Sequence, residues 1–285
     1  MDWIERLNAA INYIEEHITE ELDLSKVAKV AGCSTYHFQR MFNYMANVPL
    51  SEYVRRRRMS LAVADLQSDE AKIIDVALKY GYGSPTSFNC AFQSVHGIAP
   101  SLVKQNGTSI KSYPPISFKI IVKGVEEMNY RIEKREAFRI VGTSKILDKE
   151  FEKNVEVVLS QMWHEAAMSG TIPKLLSMMD SQPMGLLGVS VCNDSEEWRY
   201  CIAVSTTKEA DEELQEYNIP SYTWAIFYGE GPLNPTLPDL QKRIVTEWLP
   251  TSGYEYDIGP DIELYLNDDP QNAKFEIWLP IRKPQ

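Results

Sequence analysis

Cysteine is scarce in this chain and poorly spaced for structural chemistry. The four cysteines, Cys33, Cys90, Cys192 and Cys201, form no CxxC pair, and no histidine lies at the separation of a zinc ligand set. The sequence also lacks a nucleophile elbow, a phosphate-binding loop and a metal-ligand motif. We therefore expect no disulfide framework, no metal, no cofactor and no catalytic residues.

Long apolar runs are missing as well. The opening stretch MDWIERLNAA contains acidic residues instead of the apolar segment of a signal peptide, and no later run is long enough to span a membrane. We expect a cytoplasmic protein without a membrane partner. With 285 residues, 44% of them hydrophobic, the chain has room for about two folded domains.

Positive charge is in the minority, since the net charge is −11. This alone disfavours a nucleic-acid partner, because binding to phosphates requires cations. The acidic excess is uneven, however. Residues 1–106 carry 11 Lys/Arg and 12 Asp/Glu, whereas residues 107–285 carry 18 and 28. The four consecutive arginines at 55–58 allow the first part to present a positive face.

Apolar residues in the first part follow the period of a helix. Residues 3–18 form an amphipathic pattern, and helices are predicted at 25–31, 35–45, 51–67, 73–80 and 85–95. Because no strand pattern intervenes, this part is predicted to be all-α.

An internal repeat at a spacing of about 50 residues is the most informative feature. Each copy has a Val-Ala pair, a glycine, a serine and two phenylalanines: Val27, Ala28, Gly32, Ser34, Phe38 and Phe42, then Val76, Ala77, Gly81, Ser84, Phe88 and Phe92. The alanine lets two helices approach, the glycine permits a positive φ, and the serine caps the second helix. The outward residues of the first copy are types that contact base edges and phosphates: Thr35, Tyr36, Gln39, Arg40 and Asn43. A plain helical bundle with a polar surface is the alternative.

The segments CSTYHFQRMFNYMANVPLSEYVRRRRMSLAVADLQ and IIDVALKYGYGSPTSFNCAFQSVHGIAPSLVKQ resemble the double helix-turn-helix domain of AraC-type transcription regulators. The resemblance implies double-stranded DNA as the partner and two recognition helices joined by the long helix at 51–67. The DNA-contacting residues would be Tyr36, Gln39, Arg40 and Asn43 in the first helix-turn-helix and Thr86, Ser87, Asn89 and Gln93 in the second. In this family arginine is usual at the position of Cys90 and lysine at that of Gln93, so the second helix-turn-helix is expected to read bases weakly.

From about residue 105 the pattern changes to alternating strands. The predicted domains are 1–106 for DNA binding, a linker at 107–112 and a second domain at 113–285. Strands are predicted at 118–122, 130–133, 138–145, 186–192, 198–205, 222–228, 262–266 and 275–279, and helices at 149–169 and 236–249. The order strand, helix, strand, strand occurs twice. We expect an α+β domain with pseudo-two-fold repeats, helices on one sheet face and the other face free.

Alternation along IELYL and FEIWL predicts that Glu263, Tyr265, Glu276 and Trp278 share the free face. Carboxylates beside aromatic rings suit an apolar cation. Trp163, Trp224 and Tyr222 would add walls, although each is equally consistent with a core position. Solvated glutamates beside incidental surface aromatics are the alternative for any single residue.

The segments RIEKREAFRIVG, YTWAIFYGEGPL, EWLPTSGYE, IELYL and FEIWLPI resemble the GyrI-like effector-binding domain, over about residues 113–285. The resemblance implies a cleft between the two repeats, lined by aromatics and containing one buried acidic residue, which is Glu263 or Glu276. Where many members read RYD, this chain has Arg199-Tyr200-Cys201.

Together the two resemblances predict a transcription regulator whose second domain binds a small, aromatic or cationic amphipathic effector. Binding would bias how the first domain meets DNA or RNA polymerase. A small-molecule hydrolase and a protein-sequestering module are the alternatives for the second domain. Neither requires DNA affinity, so salt-dependent DNA binding with and without hydrophobic cations distinguishes them.

Overall fold

The computed structural model describes residues 3–68, 70–105, 107–119, 127–147, 155–192 and 198–284. The chain divides into two compact units, Met1–Lys119 and Ile120–Gln285. Among the described helices, none combines the length and the apolar character that a membrane crossing requires.

The first unit is helical, as predicted. Its helices are α1 (Trp3–Glu16), α2 (Leu24–Ala31), α3 (Thr35–Ala46), α4 (Leu50–Gln67), α5 (Ile73–Lys79) and α6 (Pro85–His96), followed by a 3₁₀ turn at Pro100–Leu102. The α2–α3 pair and the α5–α6 pair are the two helix-turn-helix elements, and α4 joins them. The double helix-turn-helix fold is therefore confirmed.

The local chemistry of the repeat explains both turns. Gly32 has a φ of 75° and Gly81 a φ of 79°, a region in which a side chain would be strained. The hydroxyls of Ser34 and Ser84 each accept the backbone N–H three residues on, which caps α3 and α6. Four phenylalanines with 0–1% exposure fill the two cores: Phe38, Phe42, Phe88 and Phe92.

The second unit combines a sheet with helices. Its strands are β1 (Tyr130–Arg135), β2 (Phe138–Leu147), β3 (Leu186–Cys192), β4 (Trp198–Ser205), β5 (Gln215–Ile219), β6 (Tyr222–Gly231), β7 (Glu255–Tyr256), β8 (Asp261–Tyr265) and β9 (Ala273–Arg282). Its helices are α7 (Val155–Met168), α8 (Thr171–Met178) and α9 (Leu233–Arg243), which continues into a π-helical turn at Ile244–Trp248. The sequence did not predict β5, β7 or α8. Most of the strand expected at 118–122 and the start of the helix expected at 149–169 lie outside the described residues.

The strands form one antiparallel sheet in the order β1-β6-β9-β8-β3-β4-β2-β5, with β7 beside β9. One repeat comprises β2, α7, β3 and β4, and the other comprises β6, α9, β8 and β9. The two repeats meet where β8 pairs with β3, and the strand order reads alike from that junction toward either edge. This arrangement confirms the predicted pseudo-two-fold α+β domain.

One face of the sheet packs against helices, and we call it the helix face. We call the opposite face, around which the sheet curls, the curled face, and both faces are buried. On the helix face, α7 and α8 pack over a buried cluster that includes Val141, Ile202 and Val204. The curled face carries its own core, in which the buried members are 0–3% exposed. Two-residue links join β1 to β2 and β5 to β6, although these strands lie toward opposite ends of the sheet. The sheet must curl to allow this, so the expectation of a free face is wrong.

Candidate functional site

The outward side of α3 carries the residues expected to contact DNA. Asn43 is exposed, Gln39 and Arg40 are half-buried, and Tyr36 is buried. The guanidinium of Arg40 donates to the Tyr36 hydroxyl at 2.9 Å and to the Tyr44 hydroxyl at 3.2 Å, and it lies over both rings. Tyr36 and Tyr44 therefore hold Arg40 in place. The sequence did not single out Tyr44, although its position four residues after Arg40 on one helix was a usable signal.

The corresponding side of α6 is polar but uncharged. Thr86, Ser87 and Gln93 are exposed and Asn89 is half-buried. The Ser87 hydroxyl donates to the carbonyl of the capping serine at 2.9 Å, and the Gln93 amide donates to Asn89 at 3.2 Å. The helix contains no lysine or arginine. Its contacts with DNA would therefore depend on neutral groups and on the helix N-terminus.

All four arginines of the run 55–58 in α4 form ion pairs or hydrogen bonds within the first unit. The first two arginines pair with Glu52 at 2.6 Å, and the third, which is buried, pairs with Glu15 at 2.6 Å. The fourth donates to two backbone carbonyls just after α1, each at 2.7 Å. The run therefore makes intramolecular contacts, although the first two arginines share one carboxylate and keep 41% and 34% of their side-chain surface exposed.

In the second unit, Glu263 is the centre of a polar cluster on the helix face. Its carboxylate accepts hydrogen bonds from Gln241 at 2.6 Å, from the Tyr265 hydroxyl at 2.9 Å and from the Tyr200 hydroxyl at 3.3 Å. No lysine, arginine or histidine within the described ranges forms an ion pair with it. Three neutral donors thus hold this half-buried carboxylate in place.

Trp163 and Gly188 complete this arrangement. The Trp163 indole donates to the Tyr200 hydroxyl at 3.0 Å, and its ring meets Tyr265 edge-on with centroids 5.0 Å apart. A Cβ built on Gly188 would lie 2.2 Å from the Tyr200 hydroxyl oxygen and 3.1 Å from a Glu263 carboxylate oxygen, so glycine leaves the room that they need. We call these residues the Glu263 cluster: Trp163, Gly188, Tyr200, Gln241, Glu263 and Tyr265. Its members come from both repeats.

Tyr200 and Gln241 were not among the residues proposed from the sequence. The triplet Arg199-Tyr200-Cys201 could have indicated Tyr200, because alternation along a strand turns the tyrosine to the opposite sheet face from its two neighbours. Cys201 lies on the curled face, where burial raises the pKa of its thiol to about 12. Gln241 carried no signal in the sequence, because it reaches Glu263 across a helix-to-sheet contact.

The prediction that Glu263 and Glu276 share one face is wrong. In the register between β8 and β9, Glu263 lies opposite Ile277 and Ile262 lies opposite Trp278. Residues directly opposite each other point to the same side of a sheet, so Glu276 and Trp278 lie on the curled face. Apolar alternation indicates which residues share a face, but it does not identify the helix face when both are buried.

Glu276 already has a cationic partner on the curled face. Arg131 donates to its two carboxylate oxygens at 2.7 and 3.0 Å, and the Trp278 indole donates at 2.8 Å. The hydrogen bond to Glu276 raises the pKa of Arg131. Trp278 and Trp224 are 1% and 0% exposed and meet edge-on at 5.7 Å. Both tryptophans are core residues of that face, and the half-buried Tyr222 packs beside them.

Two protein-family models match the chain. A helix-turn-helix domain matches residues 27–106, and the GyrI-like small molecule binding domain matches residues 128–282. The transcriptional regulator Rob of Salmonella typhimurium is 25% identical over 288 residues, which cover 95% of this chain and 96% of Rob.

Shorter relatives align with the first unit. The HTH-type transcriptional activator AarP of Providencia stuartii is 40% identical over 34% of this chain and 71% of AarP. The regulatory protein SoxS of Escherichia coli K12 is 37% identical over 32% of this chain and 85% of SoxS. Among solved structures, that of SAV2435 bound to tetraphenylphosphonium is 18% identical with a TM-score of 0.49, over 54% of this chain and 94% of that one.

Proposed function

We propose a ligand-responsive mode of action for this chain, which belongs to the AraC-type transcription regulators that carry a GyrI-like small molecule binding domain. The first unit binds DNA and the second binds a small molecule. In the proposal, occupancy of the second unit changes the DNA affinity of the first. Because the first unit alone accounts for 85% of SoxS, we infer that the second unit modulates DNA binding and is not required for it.

We assign the DNA contacts to the outward residues of α3 and α6: Gln39, Arg40 and Asn43, then Thr86, Ser87, Asn89 and Gln93. Arg40 is the strongest of these, because a guanidinium pairs with guanine or phosphate in a fixed geometry. Tyr36 acts as a positioning residue together with Tyr44, since both hydroxyls accept from Arg40.

The Glu263 cluster is the proposed ligand site, and one observation carries the assignment. Among the described residues the half-buried Glu263 carboxylate has only neutral donors, and burying a carboxylate without a cationic partner carries a desolvation cost. A cationic ligand with aromatic groups would supply the charge and pack against Trp163 and Tyr265. We leave Glu276, Trp278 and Trp224 out of the site, because Arg131 already compensates Glu276.

Tetraphenylphosphonium is a suitable probe because it is aromatic and permanently cationic. We expect it to bind the full chain and to change tryptophan emission through Trp163. Glu263→Gln keeps the shape of the side chain and removes its charge, so its affinity for the probe should fall about tenfold, or about 1.4 kcal/mol. Affinity for the neutral triphenylphosphine oxide should stay within about twofold, or about 0.4 kcal/mol.

Glu276→Gln is the matched control on the other sheet face. It should keep the parent affinity for tetraphenylphosphonium and lower the thermal stability of the second unit, because it weakens the pair with Arg131. Equal losses of probe affinity in both variants, or no loss in either, would contradict the assignment of the site to Glu263.

Three finer assignments follow from the same proposal. We propose that the Glu263 cluster binds its ligand without catalysing a reaction, because the relatives named above are transcription regulators. RNA polymerase is the proposed protein partner, since one relative is a transcriptional activator. We place the protein in the cytoplasm, where its DNA partner is available.

A further inference from the structure

The backbone of the segment that follows the second helix-turn-helix is hydrogen-bonded to side chains of α1 and α4 in the same unit. The carbonyl of Tyr113 accepts from Arg57 at 2.6 Å, and its N–H donates to Ser60 at 3.0 Å. Five residues later, both backbone groups of Phe118 bond to the Asn8 side-chain amide, at 2.8 and 2.9 Å. We call residues 113–118 the strap.

The site that receives the strap is built around an ion pair between the buried Arg57 and the half-buried Glu15. Arg57 of α4 donates to both carboxylate oxygens of Glu15 in α1, and the hydrogen bond to Glu15 raises the pKa of Arg57. Tyr53 donates to the same carboxylate at 2.6 Å and accepts from the N–H of Ile116 at 3.3 Å. Buried pairs of this kind need further hydrogen-bond partners, and the strap supplies one to Arg57 and one to Tyr53.

The strap ends behind the first recognition helix. Phe118 is 7% exposed, and its ring meets Phe42 of α3 edge-on with centroids 6.1 Å apart. Phe42 also contacts Tyr53, at 5.4 Å. Phe118 therefore fills space behind the helix whose opposite side carries Arg40, and its removal would leave a cavity there.

Two features lower the entropic cost of docking. Pro114 and Pro115 restrict the backbone of the undocked strap, so fewer conformations are lost on binding. Ile110, just upstream of the strap, and Tyr113, its first residue, pack against the core of the second helix-turn-helix. The segment therefore contacts the cores of both helix-turn-helix elements.

We propose that docking of the strap behind α3 sets the affinity of the DNA-binding unit for its specific DNA site. This rests on the proposed function, because it takes α3 as a DNA-reading helix. Base contacts require a helix placed within about 0.5 Å, whereas contacts with phosphates through long side chains tolerate more movement. Release of the strap should therefore weaken specific binding more than non-specific binding.

Full-chain variants test the proposal without any added ligand. Asn8→Ala removes both hydrogen bonds to Phe118, Phe118→Ala removes the ring, and Asn12→Ala is the matched control at an exposed position of α1. The probes are a duplex that the parent chain selects from a random-sequence pool and a duplex of unrelated sequence. Affinity for the selected duplex should fall about threefold in Asn8→Ala and about tenfold in Phe118→Ala, with the unrelated duplex within about twofold and Asn12→Ala like the parent.

Amide hydrogen exchange supplies an independent readout. The N–H groups of Ile116 and Phe118 should be protected in the parent, and that of Phe118 should lose protection in Asn8→Ala. Thermal unfolding checks that Phe118→Ala still folds, and Asn8→Ala keeps the aromatic ring in any case. Unprotected amides in the parent, parent-like affinity in both variants, or equal losses on the two duplexes would overturn the proposal. A parent chain that selects no duplex would contradict the proposed DNA function, while the exchange data would still decide whether the strap docks.

Discussion

At the scale of residues, both candidate sites use tyrosine hydroxyls to hold a charge in place. Arg40 donates to Tyr36 and to a second tyrosine one turn later, and Glu263 accepts from Tyr200 and Tyr265. A neutral hydroxyl restricts the rotamer of the charged group to which it is hydrogen-bonded. In the proposal, the arginine contacts a phosphate or guanine and the glutamate contacts a cation.

The Arg40 assignment can be tested by substitution. Arg40→Ala should cost about 1–3 kcal/mol of specific affinity if the side chain contacts a base, and should reduce the salt slope by about 1 if it contacts phosphate. Tyr44→Phe keeps the ring and removes one acceptor, so it should show a smaller loss of affinity. Fluorescence anisotropy with the selected duplex across a range of potassium chloride concentrations measures both quantities. Unchanged affinity and slope in Arg40→Ala would remove α3 from the recognition role.

At the scale of elements, sequence signals predicted the helices of the first unit closely because each end has a local cause. Gly32 and Gly81 terminate α2 and α5, and serine caps begin α3 and α6. β5 was missed because QEYNI is a mostly polar edge strand without clear alternation. The register of β8 against β9 was equally inaccessible, because it depends on pairing between segments and not on either segment alone.

The two recognition helices should contribute unequally. α6 contains no lysine or arginine and presents neutral side chains, including Cys90 and Gln93, so it should discriminate poorly among bases. Scrambling the half-site under α6 in the selected duplex should cost clearly less affinity than scrambling the half-site under α3. Hydroxyl-radical footprinting of the parent complex identifies which half-site each helix covers. Equal costs for the two half-sites would contradict this inequality.

At the scale of the whole molecule, charge separates the two tasks. Residues 107–285 carry 28 acidic and 18 basic residues, whereas the first 106 are nearly balanced. An acidic second unit attracts cations and disfavours contact with DNA. The two-domain layout was predictable from this contrast and from the change of apolar period. The docking of residues 113–118 was not, because a contact such as that between Asn8 and Phe118 joins positions 110 residues apart.

The central claim is that occupancy of the Glu263 cluster changes DNA binding, and the DNA affinity of the full chain with and without saturating tetraphenylphosphonium tests it most directly. A coupling of about 1–3 kcal/mol would change the affinity about 5–150-fold, and DNA should change the affinity for the probe by the same factor. Glu263→Gln, whose affinity for the probe is about tenfold lower, should need about tenfold more probe to show the same change in DNA affinity. If the parent binds the probe and its DNA affinity stays the same, the two units act independently and the account is contradicted.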